Sequence, residues 1–384
     1  MKEQFPLLTQ TNICYLDSAA TSQKPQVVID AITNYYTTSN ANVHRSAHSL
    51  AKKATDAYEG ARVQAAKHIN ANPQEIILTY GTTHAFNLLA GSLPITSDTV
   101  IVLSELEHHA NIVCWQQTDA TIKYIPQKDS KIDLDAAKKI IGEGCDIISV
   151  THLSNVTGSI TDIQEIVSYA KEHEALVFVD GAQAAVHLDV DVKELGVDAY
   201  AFSAHKVYGP TGIGALYVDE ILLEGMRPFM TGGEMITEVT KERSLFAQAP
   251  NRFEPGTPPI AQAAGFCAAL VWFAAHKDFL LEEQVMEYAY QQLQELDGVR
   301  ILSCLQPTAC LSFVIDGVDS HDLAAYLDTQ DVAIRSGHHC AQILHDALGV
   351  SSSARISVAA YTTTSDIDRA ISALKEAIDV LGES

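Results

Sequence analysis

The chain has 384 residues, enough for a large core and for more than one domain. Hydrophobic residues make up 47% and charged residues 19%, an ordinary globular balance that argues against disorder. The formal charge of −23 argues against nucleic-acid binding, which needs a basic surface, although an acidic exterior can still surround a basic pocket.

No apolar run reaches the length of a membrane span, and Met1-Lys2-Glu3-Gln4-Phe5-Pro6 lacks the apolar core of a secretory signal. No membrane partner is expected, and the cytoplasm is the expected location. Along the chain, short apolar strands alternate with amphipathic helices, which predicts an α/β fold with a mostly parallel sheet covered by helices. Predicted strands are Glu75–Thr79, Thr99–Leu103, Asp146–Thr151, Leu176–Asp180 and Ala199–Ser203. A helix is expected to start near His84, and another over Thr161–Glu174 with Thr161 as its N-cap. The proline- and glycine-rich stretch Ala249–Pro259 punctuates the chain. Beyond it the pattern predicts strands at Val299–Ser303, Leu311–Ile315, Val332–Arg335 and Ala354–Val358, with helices Ser320–Gln330 and Ser365–Leu381. The expected division is a large domain over 16–274 and a smaller one over 275–384, with segment 1–15 packing on the smaller.

Each strand of the first half is followed by polar residues: Thr82 and Thr83, Glu105 to His109, Ser154 and Asn155, Asp180 with Gln183, Ser203 to Lys206. Ligands bind at the carboxyl ends of the strands in open α/β sheets, so these groups point to one built site. In Ser203-Ala204-His205-Lys206 a lysine follows a buried strand. Desolvation lowers the pKa of such an amine, and the neutral form makes a Schiff base; a lysine snorkelling from a glycine-rich loop is the plainer alternative. Ser203 and His205 could bind a phosphate beside it. Asp180, after Leu-Val-Phe-Val, can keep a pyridine nitrogen protonated or merely cap a turn. Gly81-Thr82-Thr83 can form a phosphate cup at a helix N-terminus or simply cap the helix. His108 and His109 offer imidazoles for ring stacking and proton transfer near neutral pH, and composition does not separate them.

Seven cysteines are scattered without a CxxC pair, which reads as reduced thiols. Six have core-like surroundings. Only Cys340, in Arg335-Ser336-Gly337-His338-His339-Cys340-Ala341, sits in a polar, glycine-containing stretch, beside two histidines and before a helix, a setting that would lower its pKa. A metal site from His338, His339, Cys340 and His345 is the rival, but adjacent HHC is poor zinc geometry and no metal is expected. Arg355 could clamp a substrate carboxylate or serve in an ion pair.

These motifs together resemble a family. YLDSAATSQKP (15–25), NVHRSAH (42–48), YGTTHAFNL (80–88), ELEHHANIVCWQ (105–116), THLSNVTG (151–158), VDGAQA (179–184), FSAHKVYGPTGIGALY (202–217), RFEPGTP (252–258) and RSGHHCA (335–341) are similar to the group II cysteine desulfurases. This group includes SufS-, CsdA- and selenocysteine-lyase-like enzymes of the class V aminotransferase family, with the pyridoxal-phosphate fold type I. The similarity runs over almost the whole chain. Ala204 stands where glycine is usual, THAFN replaces the more usual TEGIN, and the sequence around Arg355 is looser than the usual pattern.

The resemblance implies pyridoxal 5'-phosphate as cofactor, held covalently by Lys206. It implies that Asp180 pairs with the pyridine nitrogen, Gln183 with the phenolic oxygen, and that His108 stacks on the ring. Thr82, Thr83, Ser203 and His205 would hold the phosphate, reached also by Thr257 of a neighbouring subunit in a homodimer. Asn155 and Arg355 would grip the substrate carboxylate, with His44, Arg45 and Arg335 near the substrate channel. Cys340 would take sulfur from L-cysteine as a persulfide, release alanine, and pass the sulfur to an acceptor protein of SufE or SufU type for iron–sulfur cluster assembly. Selenocysteine lyase activity, with L-selenocysteine as substrate, or another class V reaction such as transamination or kynureninase-like cleavage, is the alternative.

Overall fold

In the computed structural model, residues 1–44, 47–277 and 282–382 are described, and seven strands form the main sheet. These are β1 (Ile76–Thr79), β2 (Val100–Ser104), β3 (Thr121–Ile125), β4 (Ile147–Thr151), β5 (Leu176–Asp180), β6 (Ala199–Ser203) and β7 (Gly214–Val218). Their order is β1-β7-β6-β5-β4-β2-β3. β7 runs antiparallel to both neighbours, and the other adjacent pairs are parallel. The apolar runs are continuous because helices cover both faces. Alternation still sorts them: Ile148, Val150, Val177, Val179 and Phe202 enter one core, while Ile101, Leu103, Phe178, Ala199 and Ala201 enter the other.

The five strands expected in this half are present within one residue at each end. β3 and β7 were not expected. β3 is a half-exposed edge with Lys123 and Tyr124, so its apolar signal is weak. β7 hides behind glycines that read as turn residues. Gly214 is required by packing, because a Cβ there would lie 2.5 Å from Phe202 O and 2.8 Å from Gly81 Cα. Gly81, at φ +132°, turns β1 into the helix Thr82–Ser92, which starts two residues earlier than expected.

The expected helix over Thr161–Glu174 is shorter, at Ile163–Lys171, and its cap is Asp162, whose carboxylate accepts from Glu165 N at 2.9 Å. Thr161 is buried instead, and its hydroxyl has no partner.

A second, antiparallel sheet contains β8 (Val299–Ile301), β9 (Cys310–Ile315), β10 (Arg335–Gly337) and β11 (Ser353–Ser357), in the order β8-β9-β11-β10. The strand expected over 332–335 is split. Val332–Ala333 pairs in parallel with Cys14–Tyr15, and Arg335–Gly337 pairs with β11. This sheet has its own core, including Leu311, Phe313, Leu323, Ile356 and Leu374, joined by Cys14 and Leu16. Residues nearer the N-terminus contact the other core: Phe5 packs edge-on against Trp272 and Tyr361. Among the described residues no helix is long and apolar enough to cross a membrane.

Candidate active site

A cavity of about 200 Å³ lies where the carboxyl ends of the main-sheet strands meet β10, β11 and the turn at Cys340. From the main-sheet side it is lined by Thr82, Thr83, His108, Asn155, Asp180, Gln183, Ser203, His205 and Lys206. From the other side come Arg335, His339, Cys340 and Arg355. Residues from seven separate stretches therefore converge, and five of these are the strand ends expected to form one site.

Two expected residues lie elsewhere. His44 lines a different cavity with Tyr58 and Glu254, and its Nε2 is 3.0 Å from Glu59 Oε1. Thr257 is exposed and outside the central cavity of its own chain. Arg45 falls outside the described residues.

Burial controls the chemistry of the lysine. It lowers the Lys206 amine to about 8, against the opposing pull of Asp180, with Arg355 adding to the lowering. Burial raises Asp180, while Lys206 and the bond from Ala182 N to Asp180 Oδ1 (2.9 Å) oppose it. At the other end, Thr82 N donates to Ser203 Oγ at 2.9 Å, and the two hydroxyls lie 2.8 Å apart. This places the first turn of the helix Thr82–Ser92 against the end of β6.

His108 and His109 are separated by the fold. His108 lines the cavity and His109 does not. His108 Nδ1 accepts from Ala110 N (3.0 Å), so the neutral ring carries its proton on Nε2. Burial first, then the positive field of Lys206, lowers this imidazole to about 3. The expected proton shuttle near neutrality is therefore a neutral N–H donor in the free chain.

Beneath it sits a buried carboxyl that the sequence reading missed. Glu107 accepts from Ser104 Oγ (2.5 Å), Thr151 N (2.9 Å) and Asn111 Nδ2 (2.7 Å). Burial pushes it up to about 8 against those three bonds. A charged residue beside two histidines gave no sign in the sequence that it was fully enclosed.

The thiol side is built around unpaired groups. Arg335 and Arg355 are direct cross-strand partners, a like-charge pairing that disfavours the sheet unless an anion lies between them. Arg355 is partly balanced by Asp17, whose Oδ1 lies 3.0 Å from Nη2, while Nη1 donates to Asn155 O at 2.9 Å. Of six buried side-chain polar atoms without a partner among the described residues, Gln183 Oε1, His339 Nδ1 and Arg355 Nε belong to residues of this cavity.

Cys340 is half-buried and is the cavity's own thiol. Cys310 is fully buried nearby and pushed up to about 11 by that burial, which suits an inert core thiol. His339 does not bring positive charge to Cys340. His345 Nδ1 donates to Ala341 O (2.9 Å), so its Nε2 accepts from the Ser353 hydroxyl (2.9 Å). That hydroxyl then accepts from His339 Nε2 (3.0 Å), and His339 Nδ1 is left as a bare lone pair. Burial holds the His339 ring neutral. Among the described residues, no three His, Cys, Asp or Glu side chains are grouped to hold a metal ion.

A cavity lysine whose amine is lowered by desolvation, coupled electrostatically to a buried aspartate at a parallel strand end, is the architecture of pyridoxal-phosphate enzymes. The chain belongs to the class-V aminotransferase family, whose sequence model matches residues 14–370. It is 42% identical over 397 residues to a probable cysteine desulfurase of Vibrio cholerae, covering 99% of this chain and 98% of that one. A probable cysteine desulfurase of Halalkalibacterium halodurans is 43% identical, covering 100% and 98%. Among solved structures, the cysteine desulfurase CsdA from Escherichia coli superposes with a TM-score of 0.92 at 37% identity, covering 99% of this chain and 98% of that one.

The family's cofactor is pyridoxal 5'-phosphate, and the residues fit it. Gln183, which keeps one Nε2 N–H beyond its bond to Ala19 O, the Lys206 amine lowered to about 8 and the buried Asp180 carboxyl are the donor, amine and acid that the phenolic oxygen, the aldehyde and the ring nitrogen of such a group need.

Proposed function

We propose that this enzyme is a cysteine desulfurase that takes sulfur from L-cysteine onto Cys340 and releases L-alanine. The observation that carries the reading is that Lys206 and Cys340 line one cavity, with the Arg335–Arg355 pair on its wall. Bound through Lys206, pyridoxal phosphate supplies an electron sink for the pair left at the substrate Cα.

The chain's own groups do the rest. Asp180, whose Oδ1 accepts from Ala182 N, would hold a proton at the ring nitrogen through its other oxygen. Gln183 Nε2 donates to Ala19 O (2.8 Å) and keeps a second N–H for the phenolic oxygen. Thr82, Thr83, Ser203 and His205 would hold the phosphate, and His108 would lie against the ring, its Nε2 carrying the proton. Asn155 and Arg355 would orient the substrate carboxylate, with Arg335 beside them near the substrate channel. Lys206 Nζ takes the α-proton. Cys340 Sγ attacks the substrate sulfur; an S–S bond forms, the C–S bond breaks, and its electron pair stays with the carbon that becomes the alanine methyl.

By the same reading the enzyme is a cytoplasmic homodimer, with Thr257 reaching the partner's phosphate site and His44 and Arg45 at the channel. Its sulfur goes to an acceptor of SufE or SufU type for iron–sulfur cluster assembly. The separate core around the second sheet supports a smaller domain within 275–384 beside a larger one over 16–274, although Ala341, Leu344 and Tyr361 join the larger core and segment 1–15 divides between the two, Phe5 and Leu8 packing on the larger and Cys14 on the smaller.

Purified protein given L-cysteine and an excess of a thiol reductant, which reduces the persulfide, should yield alanine and sulfide in equal amounts, with more turnover when an acceptor protein is added. L-selenocysteine in parallel tests the selenocysteine-lyase alternative. Cys340→Ala should keep cofactor absorbance and lose cysteine desulfuration; undiminished desulfuration by this variant would sink the role of Cys340.

A further inference from the structure

His109 lies outside the cavity, yet it holds the turn carrying the thiol at two points. Its backbone N–H donates to Cys340 O at 2.7 Å, and its ring Nε2 accepts from Gln342 N at 3.1 Å. Gln342 begins the helix that follows the turn. The turn needs holding, because His339 (φ +51°) and Cys340 (φ +58°) are consecutive non-glycine residues in the left-handed region. A third bond, from Asn155 Nδ2 to His339 O at 2.7 Å, secures its near end.

The clamp itself stands on a rigid base. His109 opens a short helical turn, His109–Asn111, whose Asn111 side chain donates to buried Glu107 and accepts from Trp115 Nε1 at 3.1 Å. Glu107 in turn is fixed to β2 through Ser104 and to the end of β4 through Thr151. The position of the thiol is thereby referred to the main sheet that carries Lys206.

We propose that His109 is a positioning residue for Cys340, acting through the lone pair of its neutral ring on the Gln342 amide. Rings facing it are His108 from its own segment, at 6.3 Å between centroids, and His338 from the thiol turn, whose charge opposes protonation of His109. A protonated His109 has no lone pair left at Nε2, becomes a second donor toward Gln342 N–H, and releases that side of the turn. Burial first, then His338, lowers the ring below the ordinary imidazole value, so the clamp is closed at neutral pH and opens as pH falls.

The proposal rests on Cys340 being the sulfur acceptor, so its test includes a readout that needs no substrate. In the holoenzyme, His109→Ala should speed hydrogen exchange of the 336–346 segment and slow persulfide formation on Cys340 by about tenfold, the effect of one lost positioning bond. Cofactor absorbance should be unchanged. His109→Gln presents an uncharged acceptor at the place of Nε2, so it should restore both exchange protection and rate, and should flatten the acid limb of the rate–pH profile. Unchanged exchange in His109→Ala, or His109→Gln as slow as His109→Ala, would overturn the acceptor role. A wild-type enzyme that forms no persulfide on Cys340 while His109→Ala still loosens the segment would instead count against the sulfur-acceptor reading alone.

Discussion

On the cofactor side of the cavity, the functional atoms hang from strand ends. Asp180 closes β5 and Ser203 closes β6, both buried and held in the sheet, and Lys206 follows three residues later in a turn, its backbone N–H donating to Ser203 O at 3.3 Å. On the thiol side they hang from a turn of two left-handed residues, held by side chains borrowed from the main sheet's loops. The first wall sets pKa values by burial and is costly to move. The second presents a half-buried thiol on a backbone that local conformational preference opposes. A sulfur acceptor that must meet substrate inside and hand its cargo outside gains from the second design, whereas an electron sink gains from the first.

The largest expected effect belongs to the cofactor wall. Lys206→Ala should lower turnover with saturating L-cysteine by on the order of 10²–10⁴-fold, the range for one positioned proton-transfer group, and should remove the covalent link to the cofactor. Alanine release read by coupled assay, with the absorbance of the bound cofactor, checks both. Retained turnover would mean that the buried amine is structural and the comparison of the walls fails.

The next effect tests burial as the cause. The Lys206 amine titrates at about 8, and only its neutral form attacks an aldehyde. Cofactor capture by the cofactor-free protein should therefore rise about tenfold per pH unit below that point and level off above it. The sign follows from the lowered pKa: less of the amine is protonated at neutral pH than in a solvent-exposed lysine. Stopped-flow absorbance after mixing gives the curve. A plateau displaced to the ordinary lysine range would show that desolvation is not governing this wall.

The two walls also differ in how legible they were in the sequence. The strands β5 and β6 were found to the residue, because their side chains are apolar and their ends polar, and Asp180, Ser203 and Lys206 fell at the cavity for that reason. The thiol turn was found only as a motif. Nothing in RSGHHCA distinguishes His339, locked by Ser353 and His345, from exposed His338; that difference is tertiary. The Arg335–Arg355 pairing likewise depends on the register of strands about twenty residues apart in sequence, which periodicity does not encode. Asp17, which supplies the counter-charge to Arg355, lies far away in sequence near the N-terminus. Thr161 was misread as a cap because hydroxyl residues before an apolar run look alike; burial of the real chain chose Asp162.

The smallest effect isolates backbone strain. Glycine tolerates the left-handed region that costs another residue roughly 1–2 kcal/mol, and loses about 0.5–1 kcal/mol through the greater freedom of its unfolded chain. At residue 340 the first effect exceeds the second, so Cys340→Gly should unfold at slightly higher denaturant than Cys340→Ala, by about 0.5–1 kcal/mol. At residue 203, the last residue of a strand with no positive φ, only the entropy loss operates, so Ser203→Gly should be less stable than Ser203→Ala. Both comparisons pair variants that lack the functional group, which removes any effect of the missing thiol or hydroxyl. Opposite signs at the two positions, from chemical unfolding of the four holoenzymes, would locate the strain in the thiol wall. The same sign at both would mean that the turn at Cys340 relaxes once its side chain is gone, and that the thiol, not the clamp around it, maintains the left-handed conformation.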